Sequence, residues 1–160
     1  MSFYLEDLVI GSEVEYGAFT FTVEDIVRFA RAHDPQPFHL DEEEGRKSHF
    51  GGLVASGWHT AALWMKFYVS DRQHREAAAK AAGLPIALHG PSPGFRDLKW
   101  LRPVRPGDTL RYFGRITATR PSSSRPEWGL VEQFNGADNQ HGERVLEFVS
   151  VAFLERRPKA

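Results

Sequence analysis

The spacing of apolar side chains changes along the chain, and each change marks an element. Val14 to Thr20 reads as a short strand. Thr22 then opens a helix: it is an N-cap residue type, Glu24 and Asp25 occupy the first turn, and Asp25 stands at the capping-box spacing. Ile26, Val27, Phe29 and Ala30 supply the apolar stripe. The helix is expected to stop near His33, because Pro35 and Pro37 lack amide donors and push the residues before them into extended geometry.

A polar run from Asp41 to Ser48 has the length of a helical turn or two, and Gly51 and Gly52 break the chain after it. Between Gly57 and Val69 the apolar residues Trp58, Ala61, Ala62, Leu63, Trp64, Met65, Phe67 and Tyr68 run right around a helical wheel. That pattern predicts a helix buried on all sides. It is too short for the ~20 residues of a membrane span, so it reads as a core helix, continued by a polar, Ala-rich stretch from Asp71 to Ala82. Gly83 to Gly94, with Pro85, Pro91 and Pro93, reads as a loop.

Beyond it the period becomes two. Leu110, Tyr112, Gly114, Ile116 and Ala118 alternate with Arg111, Arg115, Thr117 and Thr119. Pro121 to Pro126 is expected to be a loop, Trp128 to Phe134 a strand, and Asn135 to Asn139 a turn. Val145 to Leu154 is apolar on both faces, as a strand covered twice would be. A buried helix among antiparallel strands needs a sheet curved around it. The fold class is therefore α+β, with the sheet wrapped about the helix.

Composition narrows the function. The chain has 160 residues, with neither a repeat nor a linker long enough to divide it, so one domain over residues 1–160 is expected. Its 20 basic and 21 acidic residues leave a net charge of -1, which argues against a general nucleic-acid partner. There are no cysteines, which excludes disulfides, thiolate zinc sites and a cysteine nucleophile. The N-terminus carries no basic region ahead of Glu6 and Asp7, so neither a secretory signal nor a membrane partner is expected and the location reads as cytoplasmic. Residues 96–126 hold eight Lys and Arg against only Asp97 and Asp108, a basic stretch suited to an anionic headgroup.

Two segments carry candidate chemistry. In His33-Asp34-Pro35-Gln36-Pro37-Phe38-His39 the prolines make a rigid turn presenting Asp34 and His39. A carboxylate and an imidazole aimed at one water can divide acid and base work. In Gly52-Leu53-Val54-Ala55-Ser56-Gly57 a small-residue loop opens onto the core helix. Free N–H groups at a helix start, beside a glycine, suit developing negative charge, and Ser56 is also a natural N-cap. His33, His49 and His59 lie nearby without a recognised ligand spacing, so no metal and no other cofactor is expected.

Together with Leu101-Arg102-Pro103-Val104-Arg105-Pro106-Gly107-Asp108, these segments resemble the MaoC-like dehydratases, which include the (R)-specific enoyl-CoA hydratases. The resemblance spans Thr22 to the C-terminus. It implies the hot-dog fold and syn addition of water to a trans-2-enoyl thioester, or the reverse. It implies Asp34 and His39 as the acid–base pair, with Gly57 and Ser56 at the oxyanion and substrate-binding site. The family often has Asn where this chain has Gln36 and His where it has Ser56, and Trp58 and Trp64 are placed to shorten an acyl tunnel. An acyl-CoA thioester substrate follows, with Arg96 and Arg102 as candidates for its phosphates, and so does a homodimer. A hot-dog thioesterase and a non-catalytic acyl-CoA-binding dimer are the competing readings.

Overall fold

A computed structural model describes residues 4–158. After a short 3-10 turn, β1 (Glu13–Thr20) leads into α1 (Val23–His33), two short helices α2 (Pro37–Leu40) and α3 (Glu42–Lys47), and the long α4 (Gly57–Ala81). Four strands follow: β2 (Gly94–Trp100), β3 (Thr109–Pro121), β4 (Trp128–Asp138) and β5 (Arg144–Glu155). The five strands form one antiparallel sheet in the order β1-β3-β4-β5-β2, curved around α4. This is the hot-dog fold.

The local signals explain most of the elements. Thr22 caps α1 by accepting the Asp25 N–H at 3.1 Å, and its hydroxyl donates to the Asp25 carboxylate at 2.9 Å. Asp41 caps α3 through the amides of Glu43 and Glu44. Gly83, at φ +66, closes α4 where only a residue without a side chain sits at ease in left-handed backbone.

The core lies between the sheet and one face of α4. Leu63 and Trp64 from the helix pack with Phe21, Ile26, Leu110, Tyr112, Leu146 and Phe148. Each such fully buried side chain contributes roughly 1.5–3 kcal/mol.

Several expectations change. Helix α4 is not buried on all sides: Trp58, Ala62 and Met65 share an exposed face, because the sheet of one chain covers only the other side. The turn before His39 is not wholly extended, since Pro37 starts the one-turn helix α2 at the position where a missing N–H costs nothing. Asn135 to Asp138 is not a turn: these residues continue β4, paired with β5 through Asn135 opposite Phe148, and the turn begins at Asn139. Their turn-forming composition yields to ladder bonds on both sides.

Strand β2, unexpected from the sequence, forms the edge beside β5. Its charged residues and a register shift between Arg96 and Lys99, with Asp97 at φ 58, hide its period. Because β4 and β2 flank β5, the doubly apolar strand is an inner one, and β2, like β1 at the other end, is an edge of the sheet. Among the described residues no helix is long and apolar enough to cross a membrane.

Candidate active site

Three stretches of chain meet where α1 ends and α4 begins. Asp34 stops α1 as its C-cap, with its N–H still bonded to the Ala30 carbonyl. Half a turn of extended backbone then delivers His39 into α2. Residues 53–56 run beside them, fixed by Val54 N–H to Phe38 O at 3.3 Å, Ala55 N–H to Val104 O at 2.8 Å and Leu53 N–H to the Glu42 carboxylate at 3.1 Å. That loop can approach α3 because Gly45 presents no side chain: a Cβ there would overlap the backbone of Gly52 and Leu53. The Pro106-Gly107-Asp108 turn ties β1 to β3 through Gly107 N–H to Phe21 O and Phe21 N–H to Asp108 O, which holds the start of α1.

His39 is buried, and its Nε2 lies 3.4 Å from Asp34 Oδ2. Its Nδ1 lies 2.7 Å from the carbonyl oxygen of Val54. A carbonyl only accepts, so Nδ1 carries a hydrogen, and Nε2 is the ring atom that faces Asp34 and is left to exchange a proton. Asp34 is held by two donors: the Ser56 hydroxyl at 2.6 Å on Oδ2 and the Gln36 amide at 2.8 Å on Oδ1. Burial alone pushes its pKa up, but Ser56, Gln36 and the nearby His39 together outweigh that and leave the carboxyl below its ordinary value. The pair is thus a carboxylate with the Nε2 of an oriented imidazole beside it.

Ser56 caps α4 by accepting the Trp58 N–H at 3.2 Å, while its own hydrogen goes to Asp34. Its hydroxyl therefore binds the site from behind. Gly57 provides the first N–H of a 25-residue helix, and that N–H has no hydrogen-bond partner among the described residues. The helix start adds partial positive charge there. The indole of Trp100 covers Gly57: its Nε1–H donates to the Gly57 carbonyl at 2.8 Å, and a Cβ on Gly57 would lie 2.5 Å from the ring.

These groups border a cleft of about 410 Å³, walled by Phe38, Phe50, Trp58 and Trp100 and floored by Val54, Ala55, Val104 and Val145. Asp34, His39 and Gly57 all border it, as does Arg102 at the rim. Arg102 is half exposed and pairs with Glu143 at 3.3 Å. Arg96 is not among the lining residues; it pairs with Glu132 at 3.0 Å on the outer part of β2. His59 is a core side chain, stacked on Phe29 at 4.4 Å and edge-on to Phe21 at 5.0 Å.

The sequence did not point to Val54 or Trp100. A backbone carbonyl leaves no trace in residue identity, and Phe95, Leu98 and Trp100, spaced three and two apart among charges, show no strand period because the register shifts between Arg96 and Lys99.

The family described as "MaoC like domain" matches residues 7–125, and the chain belongs to it. A solved MaoC-like dehydratase from Rhodospirillum rubrum superposes with a TM-score of 0.81 at 38% identity, covering 99% of this chain and 100% of that one. The protein YdeM of Bacillus subtilis, itself uncharacterized, is 27% identical over 143 residues, which is 89% of this chain and 92% of YdeM. Mesaconyl-CoA hydratase of Cereibacter sphaeroides is 34% identical over 67 residues, covering 42% of this chain and only 19% of that enzyme.

Proposed function

We propose that the protein hydrates trans-2-enoyl thioesters of CoA, or catalyses the reverse dehydration, with Asp34 and His39 as its acid–base pair. The carrying observation is the His39 ring, locked by Val54 so that its Nε2 meets the Asp34 carboxylate at 3.4 Å. A water beside the pair donates a hydrogen to the unprotonated Nε2, with the Asp34 carboxylate next to it, and turns an oxygen lone pair outward. Nε2 takes one proton as the oxygen bonds to C3. The C2=C3 electrons move toward the thioester carbonyl, whose oxygen is met by the Gly57 N–H. The imidazolium, steadied by Asp34, then returns the proton to C2 on the same face, which makes the addition syn. A positioned base and an oxyanion donor each lower such a barrier by a few kcal/mol.

Ser56, in this reading, positions Asp34, and Arg102 at the rim meets a CoA phosphate. No metal or redox cofactor enters the scheme. A second copy of the chain completes the assembly along the free edge of β2, next to the exposed Trp58, Met65, Phe95 and Leu101. Light scattering at the mass of a dimer supports that assembly; a monomer at micromolar concentration rejects it.

The test is the loss of enoyl absorbance from trans-2-butenoyl-CoA, run beside Asp34→Asn and His39→Gln. The expected result is turnover by the wild type and a fall of roughly 100-fold or more in each folded variant. Release of free CoA instead assigns thioester hydrolysis. Binding without either reaction assigns a carrier.

A further inference from the structure

The cleft ends inward on Val54, Ala55, Thr60, Val104 and Val145, all of them buried. Behind that end stands a packed block from α4 and β5: Leu63, Trp64, Leu146 and Phe148. Trp64 is its centre. Its ring meets Phe148 edge-on at 4.7 Å and stacks on Tyr68 at 5.1 Å, and its indole N–H donates to the Phe113 carbonyl at 3.3 Å. A buried indole held by ring contacts and a hydrogen bond has little freedom to swing aside.

A second cavity, of about 150 Å³, lies further along, between the C-terminal half of α4 and the sheet. Tyr16, Tyr68, Ile116, Gln133 and Ser150 are among its lining residues. Trp64 borders neither space. Thr60 at the inner end of the cleft and Tyr68 at the edge of the cavity are eight residues apart on one helix, about 12 Å along its axis. Thr60, Trp64 and Tyr68 stand four residues apart on one face of α4, so Trp64 forms an aromatic partition between the helix positions that border the two hollows. The other tryptophan of the helix, Trp58, is half exposed at the cleft wall and closes nothing.

We propose that Trp64 is the specificity-determining residue of the cleft, limiting its acyl thioesters to short chains of about four carbons and closing the second cavity to substrate. This rests on the thioester reading above. With the carbonyl at Gly57 and C3 beside His39, the chain beyond C3 points into a space that ends on Thr60, Val104 and Val145, with Trp64 one helical turn behind Thr60. A close-packed core does not yield to added methylenes without displacing its own side chains.

The experiment compares wild-type kcat/KM for trans-2-butenoyl-CoA and trans-2-octenoyl-CoA. The short ester is expected to be favoured by roughly 100-fold. Trp64→Leu, which keeps an apolar side chain but opens the partition, is expected to raise octenoyl turnover by about tenfold with little change for butenoyl. Equal turnover of the two esters by the wild type overturns the proposal. So does an octenoyl rate unmoved in folded Trp64→Leu. If the wild type turns over neither ester, the hydration reading fails, and calorimetry with saturated butyryl-CoA and octanoyl-CoA decides chain length alone. Tighter binding of octanoyl-CoA then overturns the limit. Should Trp64→Leu not fold, the wild-type comparison and this binding pair still decide.

Discussion

The Ser56 hydroxyl donates to Asp34 Oδ2 at 2.6 Å while its oxygen accepts the Trp58 N–H at 3.2 Å. One side chain therefore starts α4 and fixes the carboxylate at the end of α1. The alignment of the helix start with the acid–base pair passes through this atom.

Replacing Ser56 by Ala removes both bonds. Loss of the cap is expected to cost about 1 kcal/mol, read as a lower Tm. The Ser56 bond favours the charged carboxylate, so its loss raises the Asp34 pKa and moves the acid limb of the pH–rate profile to higher pH. Ser56→Thr, which keeps a hydroxyl, is expected to restore that limb. An unmoved limb in Ser56→Ala removes the link between the two residues.

Gly57 tolerates no side chain under Trp100. Gly57→Ala brings a Cβ to 2.5 Å from the indole, an overlap expected to cost about 1–3 kcal/mol and to displace the free N–H. Adding Trp100→Ala relieves the overlap, so the double variant is expected to lose less stability than the sum of the single losses. Denaturant unfolding of the four proteins measures this directly.

Arg102 and Arg96 separate a binding role from a structural one. Arg102→Ala is expected to raise KM for an enoyl-CoA several-fold with kcat nearly unchanged, and the effect should shrink with salt. Arg96, away from the cleft and paired with Glu132, should leave KM alone when replaced. Steady-state kinetics at low and high ionic strength distinguish the two.

His59 predicts acid sensitivity. Burial holds its pKa down from 6.5 to about 4, and its Nδ1 has no hydrogen-bond partner among the described residues. The unfolded chain takes up a proton that the folded one refuses. The His59 contribution is therefore full above about pH 6.5, is lost as the pH falls toward about 4, and changes no further below that. His59→Phe should flatten the pH dependence of stability in this window.

Tyr112 is fully buried, which pushes its pKa far up, and its hydroxyl has no hydrogen-bond partner among the described residues. Tyr112→Phe keeps the stack on Phe67 and removes an unsatisfied polar group. It is expected to raise stability by about 1 kcal/mol. A lower midpoint in urea would show that the hydroxyl is satisfied in solution.

Local signals in the sequence determined a large part of this protein. Thr22 capped the first helix where expected, Asp34 and the prolines ended it, Ser56 and Gly57 began the core helix, and alternation marked β3. Each depends on neighbours a few residues away, whose preferences are carried by residue type. The pairing of Asp34 with His39 was legible for the same reason, being five residues apart across rigid backbone.

The tertiary structure decided the rest. Strand β2 exists because β5 offers it a ladder, not because its own charged sequence favours one. Asn135 to Asp138 became strand for the same reason. The His39 tautomer depends on the Val54 carbonyl, the Asp34 charge on a hydroxyl from the head of another helix, and the cover of Gly57 on an indole from the sheet edge. Such contacts join residues far apart in the chain, and only packing around a shared core brings them into register. The sequence names the groups that could do the chemistry; their geometry comes from how the sheet closes around α4.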